Sequence, residues 1–128
     1  MAHLKPKEIL ERAKEFLQCA EYAAHNSFFN VCAICSYAAM FWAARAALAR
    51  EGFTQQRWEH LELQSKFSEQ AVEKRRRYPP NFGTWLTDAY RLRNLAQYHF
   101  DNPEVKRIRR TVNHAKEFIH RVEEMINK

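Results

Sequence analysis

The sequence predicts an all-α fold, an antiparallel bundle of four to five helices, and three observations carry that prediction. The 128 residues include only two glycines and four prolines beside an ample supply of Ala, Leu, Glu, Lys and Arg, residues that lose little freedom on a helix. Apolar residues recur at helical spacing along nearly the whole chain, and no stretch alternates strictly as a strand would. The breaks between periodic segments are short, so neighbouring helices should run antiparallel. A chain of this length suits one domain over residues 1–128.

The first helix is expected from Pro6 to His25, with proline in its first turn and a stripe of Ile9, Leu10, Ala13, Phe16, Leu17, Ala20 and Ala24. Asn26 and Ser27 then offer a break and a new N-cap. The second helix, Phe28 to Arg50, is apolar on almost every side and should be the buried centre of the bundle. Gly52 should end it, and Thr54 should cap a third helix from Gln55 to Arg77, anchored by Trp58, Leu61, Phe67 and Val72. Lys74-Arg75-Arg76-Arg77 closes that helix where cations suit the dipole. Tyr78-Pro79-Pro80-Asn81 breaks the chain, because proline disfavours helix in the residue before it. A fourth helix capped by Thr84 should run to His99 or Phe100. The fifth should run from Pro103 to Ile126 on a stripe of Val105, Ile108, Val112, Ala115, Ile119, Val122 and Ile126.

No apolar run is long enough to suggest a membrane span, and the N-terminus lacks the pattern of a signal peptide, so a cytoplasmic protein with no membrane role is expected. Three cysteines agree with a reducing compartment. Cys32 and Cys35 form a CxxC, but a zinc site needs about four ligands. With His25 as the best third ligand and no fourth, the pair reads as small core residues, and no metal or cofactor is expected. The formal net charge is +6. From Lys74 to Arg121 there are twelve Lys or Arg against four Asp or Glu, whereas the first 73 residues hold eight basic and nine acidic side chains. That asymmetry suits an anionic partner such as RNA, and a solvated basic face has the same composition.

The chemistry-bearing stretch is Arg91-Leu92-Arg93-Asn94-Leu95-Ala96-Gln97-Tyr98-His99-Phe100. Leu92, Leu95, Ala96 and His99 follow i, i+3, i+4, i+7 spacing, which would place His99 on an apolar face against the core or another subunit. Arg45 and Tyr37 are unusual on the apolar second helix and read as an internal polar pair. Trp42, Trp58 and Trp85 read as core or dimer anchors. His60 has no partner that the sequence names. His3, His25, His114 and His120 read as solvated or incidental.

Arg93-Asn-x4-His99 resembles the signature of the HEPN family, an Arg, a polar residue and a His four to six residues after the Arg. The string from Ser36 to Leu48, with Tyr37-Ala-Ala-Met40-Phe41-Trp-Ala-Ala-Arg45-Ala, is similar to that family's second-helix core. His60-Leu-x6-Phe67 and Ala89-Tyr90-x2-Arg93-x2-Ala96-x-Tyr98 resemble its short stand-alone members, in which an Asp often stands where this chain has Gln97. The resemblance implies a helical bundle and a metal-independent endoribonuclease acting as a dimer, of the kind that forms the toxin half of a module with a minimal nucleotidyltransferase antitoxin. In such a site the RNA 2′-OH attacks the adjacent phosphate and leaves a 2′,3′-cyclic phosphate. His99 would be the acid or base, Arg93 the charge stabiliser, and Asn94 would orient the phosphate or His99. Tyr98, Arg91, Arg75, Arg76, Arg77, Lys106, Arg107, Arg109 and Arg110 would bind RNA. The alternative it implies is a non-catalytic module binding RNA, a nucleotide or a partner protein.

Overall fold

The computed structural model describes residues 5–128, which hold five helices and no strand. Helix α1 (Pro6–His25) opens on a proline, which gives up only an amide that a first turn leaves unbonded. It ends on two reversed bonds, Phe28 N–H to Ala23 O at 2.8 Å and Ser27 N–H to Ala24 O at 3.2 Å, with Ser27 at φ +61°. This is a Schellman closure, in which the left-handed residue satisfies the last carbonyls of a helix. The expectation that Ser27 caps the following helix is therefore corrected: it finishes α1, and Phe28 is the N-cap of α2 (Phe29–Arg50).

Helix α2 is the centre of the molecule and packs against every other helix, α1, α3, α4 and α5. Its alanines at 33, 39, 43, 44, 46 and 47 are all buried and let neighbouring backbones come close. The helix is long and apolar enough to cross a membrane, but 67% of its most apolar window is buried inside the fold, as a core helix requires. Gly52, at φ +92°, ends it with a second Schellman closure, Phe53 N–H to Leu48 O at 2.9 Å.

The third helix starts later than expected. Arg45 donates to Gln55 O at 3.0 Å and Trp58 is buried, so the chain from Thr54 to Glu59 is held out of helix. Thr54 is thus no cap; α3 (His60–Lys66) begins after Glu59, whose amide donates to Glu62 at 3.4 Å. A π-helical continuation follows over Phe67–Lys74. The later start and the wider turn change which side chains face inward. Leu63, Gln64, Phe67, Gln70 and Ala71 are buried, while Leu61, an expected anchor, is 66% exposed.

Helix α4 (Pro80–Tyr98) has Pro80 in its first turn, so Thr84 lies inside the helix instead of capping it. Proline halts the preceding chain but is well suited to start the next helix. Helix α5 (Val105–Ile126) starts two residues after Pro103, and Val105 is exposed instead of joining the buried stripe. It runs antiparallel to α4: Leu92 shares a cluster with Ile108 and Val112, and Phe82 stacks on Phe118 at 4.9 Å. The main core joins all five helices around Met40, Leu48, Leu63, Phe67, Leu86 and Phe118.

Candidate functional site

Three helices each bring a pair of side chains at helical spacing to one place: Tyr37 and Phe41 from α2, His60 and Gln64 from α3, Tyr90 and Arg93 from α4. Tyr37 Oη lies 2.8 Å from His60 Nδ1, and Gln64 Nε2 donates to Tyr37 Oη at 3.5 Å. The Tyr90 ring stacks on His60 at 5.0 Å, with Phe41 5.3 Å away on the same imidazole. Tyr37 and Gln64 are buried; His60, Tyr90 and Arg93 are half-buried.

The electrostatics bear on the charge states. Burial pushes the Tyr37 phenol up to about 12, so it stays protonated at neutral pH and shares a hydrogen bond with His60 Nδ1. Burial, and then the nearby Arg93 guanidinium, hold His60 below its ordinary value, with Glu59 opposing weakly. At neutral pH these neighbours favour a neutral His60 imidazole, which carries one ring N–H. With Tyr37 donating to Nδ1, such a ring presents its Nε2–H to an anionic oxygen.

Arg93 faces the other way as well. Its Nη1 donates to Asn94 Oδ1 at 2.9 Å, and the guanidinium lies 5.5 Å from the centre of the Tyr98 ring. The Asn94 side-chain oxygen thus holds one edge of the Arg93 guanidinium. Tyr98 is 66% exposed. His99 departs from the helix: it is the C-cap of α4, with extended backbone (φ −111°, ψ 148°), and is exposed. Its expected place on an apolar helix face is corrected, because α4 ends at Tyr98 and the extended backbone at His99 takes its side chain off the face on which Leu92 and Ala96 meet the core.

The other expected RNA contacts divide. Arg75 and Arg77 are tied to Glu51 at 3.3 and 3.2 Å, Arg91 pairs with Asp88 at 3.3 Å, and Arg76 is exposed and makes no ion pair among the described residues. Lys106, Arg109 and Arg110 are exposed and Arg107 half-buried at the start of α5, where Arg109 lies over the Phe29 ring.

Several other expectations change. Tyr37 and Arg45 are not partners; Arg45 lies over Trp42 at 4.2 Å and binds the Gln55 carbonyl. His114 is not incidental, being stacked on Trp85 at 4.0 Å and nearly parallel. His3 lies outside the described residues. Cys32 and Cys35 are buried as core residues, and Cys35 meets Cys19 at 2.9 Å between sulfurs. No three His, Cys, Asp or Glu are grouped to share a metal ion among the described residues. Sequence reasoning missed the partnership of Tyr37, His60, Gln64 and Tyr90. The signal was present in halves: a tyrosine on the most apolar helix and a histidine without a local partner.

The family model for the HEPN domain matches residues 6–127. No curated protein matches the chain.

Proposed function

The chain belongs to the HEPN domain family, which supports a general nuclease or RNA-binding-type module, and on that premise we propose that it is a metal-independent endoribonuclease working as a two-fold dimer. The observation that carries this reading is the position of Arg93, whose charge acts on the His60 imidazole on one side and whose guanidinium lies 5.5 Å from the Tyr98 ring on the other, with the exposed His99 the next residue in the chain. Arg93 and His60 Nε2–H stabilise charge on the phosphoryl oxygens, where fixed donors act without reorganising. His99 takes the proton from the RNA 2′-OH or returns one to the leaving 5′-oxygen, since imidazole exchanges protons near neutral pH. The P–O5′ bond breaks as the O2′–P bond forms, leaving a 2′,3′-cyclic phosphate and a 5′-OH. One histidine cannot conveniently give and take in a single step, and a second copy supplies the other. In this reading the protein is cytoplasmic and is the toxin of a pair with a nucleotidyltransferase-type antitoxin.

The test is cleavage of a mixed RNA pool in EDTA by the wild type, Arg93→Ala, His60→Asn and His99→Ala. Loss of about 10²-fold or more in Arg93→Ala and His99→Ala supports the reading, by the usual worth of a charge stabiliser and an acid–base group. Equal cleavage by all four proteins overturns it. A second reading, a non-catalytic module that binds RNA, a nucleotide or a partner, is favoured by one observation. No hydrogen bond orients the exposed His99 ring among the described residues. Wild type that binds RNA without cleaving it would establish that alternative.

A further inference from the structure

A groove of about 900 Å³ runs between the π-helical turn, the loop before α4 and the outer face of α4, away from the Tyr37–His60 pair. Arg76, Arg77, Arg91 and Arg121 line it, against Glu73 and Asp88. Arg77 is held by the largely buried Glu51, but the rest of the positive charge is available: Arg76 makes no ion pair among the described residues, and Arg91 and Arg121 pair only with exposed carboxylates, at 3.3 and 3.9 Å. Exposed pairs of this kind are held by little and rearrange readily.

Two further observations single out this groove. Arg76 holds a left-handed backbone, φ +51°, the conformation that this chain gives to glycine at Gly52. Such a position costs a side-chain-bearing residue on the order of 1 kcal/mol or more, and strain of this sort gathers at functional sites. Beside it lies the π-helical segment Phe67–Lys74, a rare geometry with the same tendency. The second observation is direction. Pro80, Thr84, Thr87 and Arg91 of the groove wall recur at three- or four-residue spacing, and the same helix face continues through Asn94 to Tyr98. From Arg91 to Tyr98 is roughly 10 Å at the rise of an α-helix. The groove thus leads along α4 to an exposed aromatic ring and to His99.

We propose that this groove binds the sugar–phosphate backbone of single-stranded RNA, as a subsite for the nucleotides flanking the one held at Arg93 and His99. Spaced guanidinium groups follow a phosphate chain, and the exposed Tyr98 ring at the end of the track offers a stacking face to a base. The location of the scissile nucleotide rests on the ribonuclease reading above; binding in the groove does not.

The test reads binding alone. Anisotropy of a labelled, 2′-O-methyl single-stranded oligonucleotide of mixed sequence, which has no 2′-OH nucleophile, is followed across salt concentrations. The wild type is compared with Arg76→Gln/Arg121→Gln and with Lys7→Gln/Lys116→Gln, a pair of the same charge loss on exposed positions elsewhere. The groove pair should bind more weakly, with a log–log salt slope shallower by roughly 1.4 for two lost phosphate contacts, while the Lys pair stays near wild type. Arg76→Gly separates function from folding: relieving the left-handed strain should leave or raise its thermal stability while its RNA affinity falls. Equal weakening of both double variants, unchanged binding in the groove pair, or an acidic protein partner that the groove pair fails to capture while RNA binding persists, each overturns the proposal. Cleavage of ordinary RNA by the wild type alongside such a result would leave the ribonuclease reading standing and remove the groove alone.

Discussion

His60 owes its state to neighbours from three helices, and that makes its protonation a folding property. Buried against Tyr37, Tyr90 and Phe41 and facing the charge of Arg93, it is held below its ordinary pKa, as is His114 by burial against Trp85 and by Arg110. The unfolded chain binds protons at these two rings at a higher pH than the folded chain does. Stability is therefore complete above the unfolded value near 6.5 and is lost as pH falls through it toward the folded values. Thermal melts should show Tm falling between pH 7 and pH 5. The fall should shrink in His60→Asn and again when His114→Asn is added; a Tm slope unaltered by both substitutions would show that these rings do not carry it. Arg93, Asn94 and Tyr98 were readable as a cluster from the sequence because all three lie on one helix within six residues. Tyr37, His60 and Tyr90 were not, since 53 residues and two intervening turns separate the first from the last.

At the scale of elements, the helix ends decide more than the helix middles. Two helices close on left-handed residues by the same pair of reversed hydrogen bonds, yet one uses Gly52 and the other Ser27. Glycine reaches that conformation without a Cβ penalty, whereas serine does not. Ser27→Gly should raise stability by about 0.5–1 kcal/mol, and Gly52→Ala should lower it by about 1–2 kcal/mol. Urea titrations of the two variants measure both, with the m-value expected to stay constant. A Cβ on Gly52 meets nothing within 4 Å, so the loss would report backbone strain and not a clash. The spans of α1, α2 and α5 were legible to within two residues, because each has a long apolar stripe and a proline, glycine or turn beside it. The start of α3 was not. Its position depends on Arg45 reaching across from α2 to bind the Gln55 carbonyl, a contact between residues ten apart that no local pattern encodes.

On the scale of the whole molecule, one end of the bundle carries an apolar surface that the single chain does not cover. Phe100 is fully exposed, and Tyr98, Phe28, Val31 and Val105 are each more than two-fifths exposed. Asn30 bonds Asn102 at 3.2 Å, which ties the start of α2 to the α4–α5 turn and gathers these side chains at the end where His99 lies. Exposed apolar side chains gathered in this way mark an interaction surface more often than chance. In the dimer proposed above, that end is the natural contact, since it would bring the two His99 rings together. Phe100→Lys with Val31→Lys should convert a dimer to the 15.3 kDa monomer in light scattering and abolish cleavage while leaving the helical signal intact. A monomeric wild type, or a dimer that survives both charges, would place the contact elsewhere.

The amino-acid sequence by itself determined that the chain is helical throughout, which helix is central and where Arg93 and His99 stand relative to each other along the chain. Those properties follow from composition, from periodicity and from spacing within one segment, all of them local. Tertiary structure alone decided that His60 is neutral and held by Tyr37, that His99 leaves the helix into solvent, and that Arg76, Arg91 and Arg121 share one groove. Each of these depends on which faces of α2, α3, α4 and α5 meet, and packing of faces is a property of the whole fold.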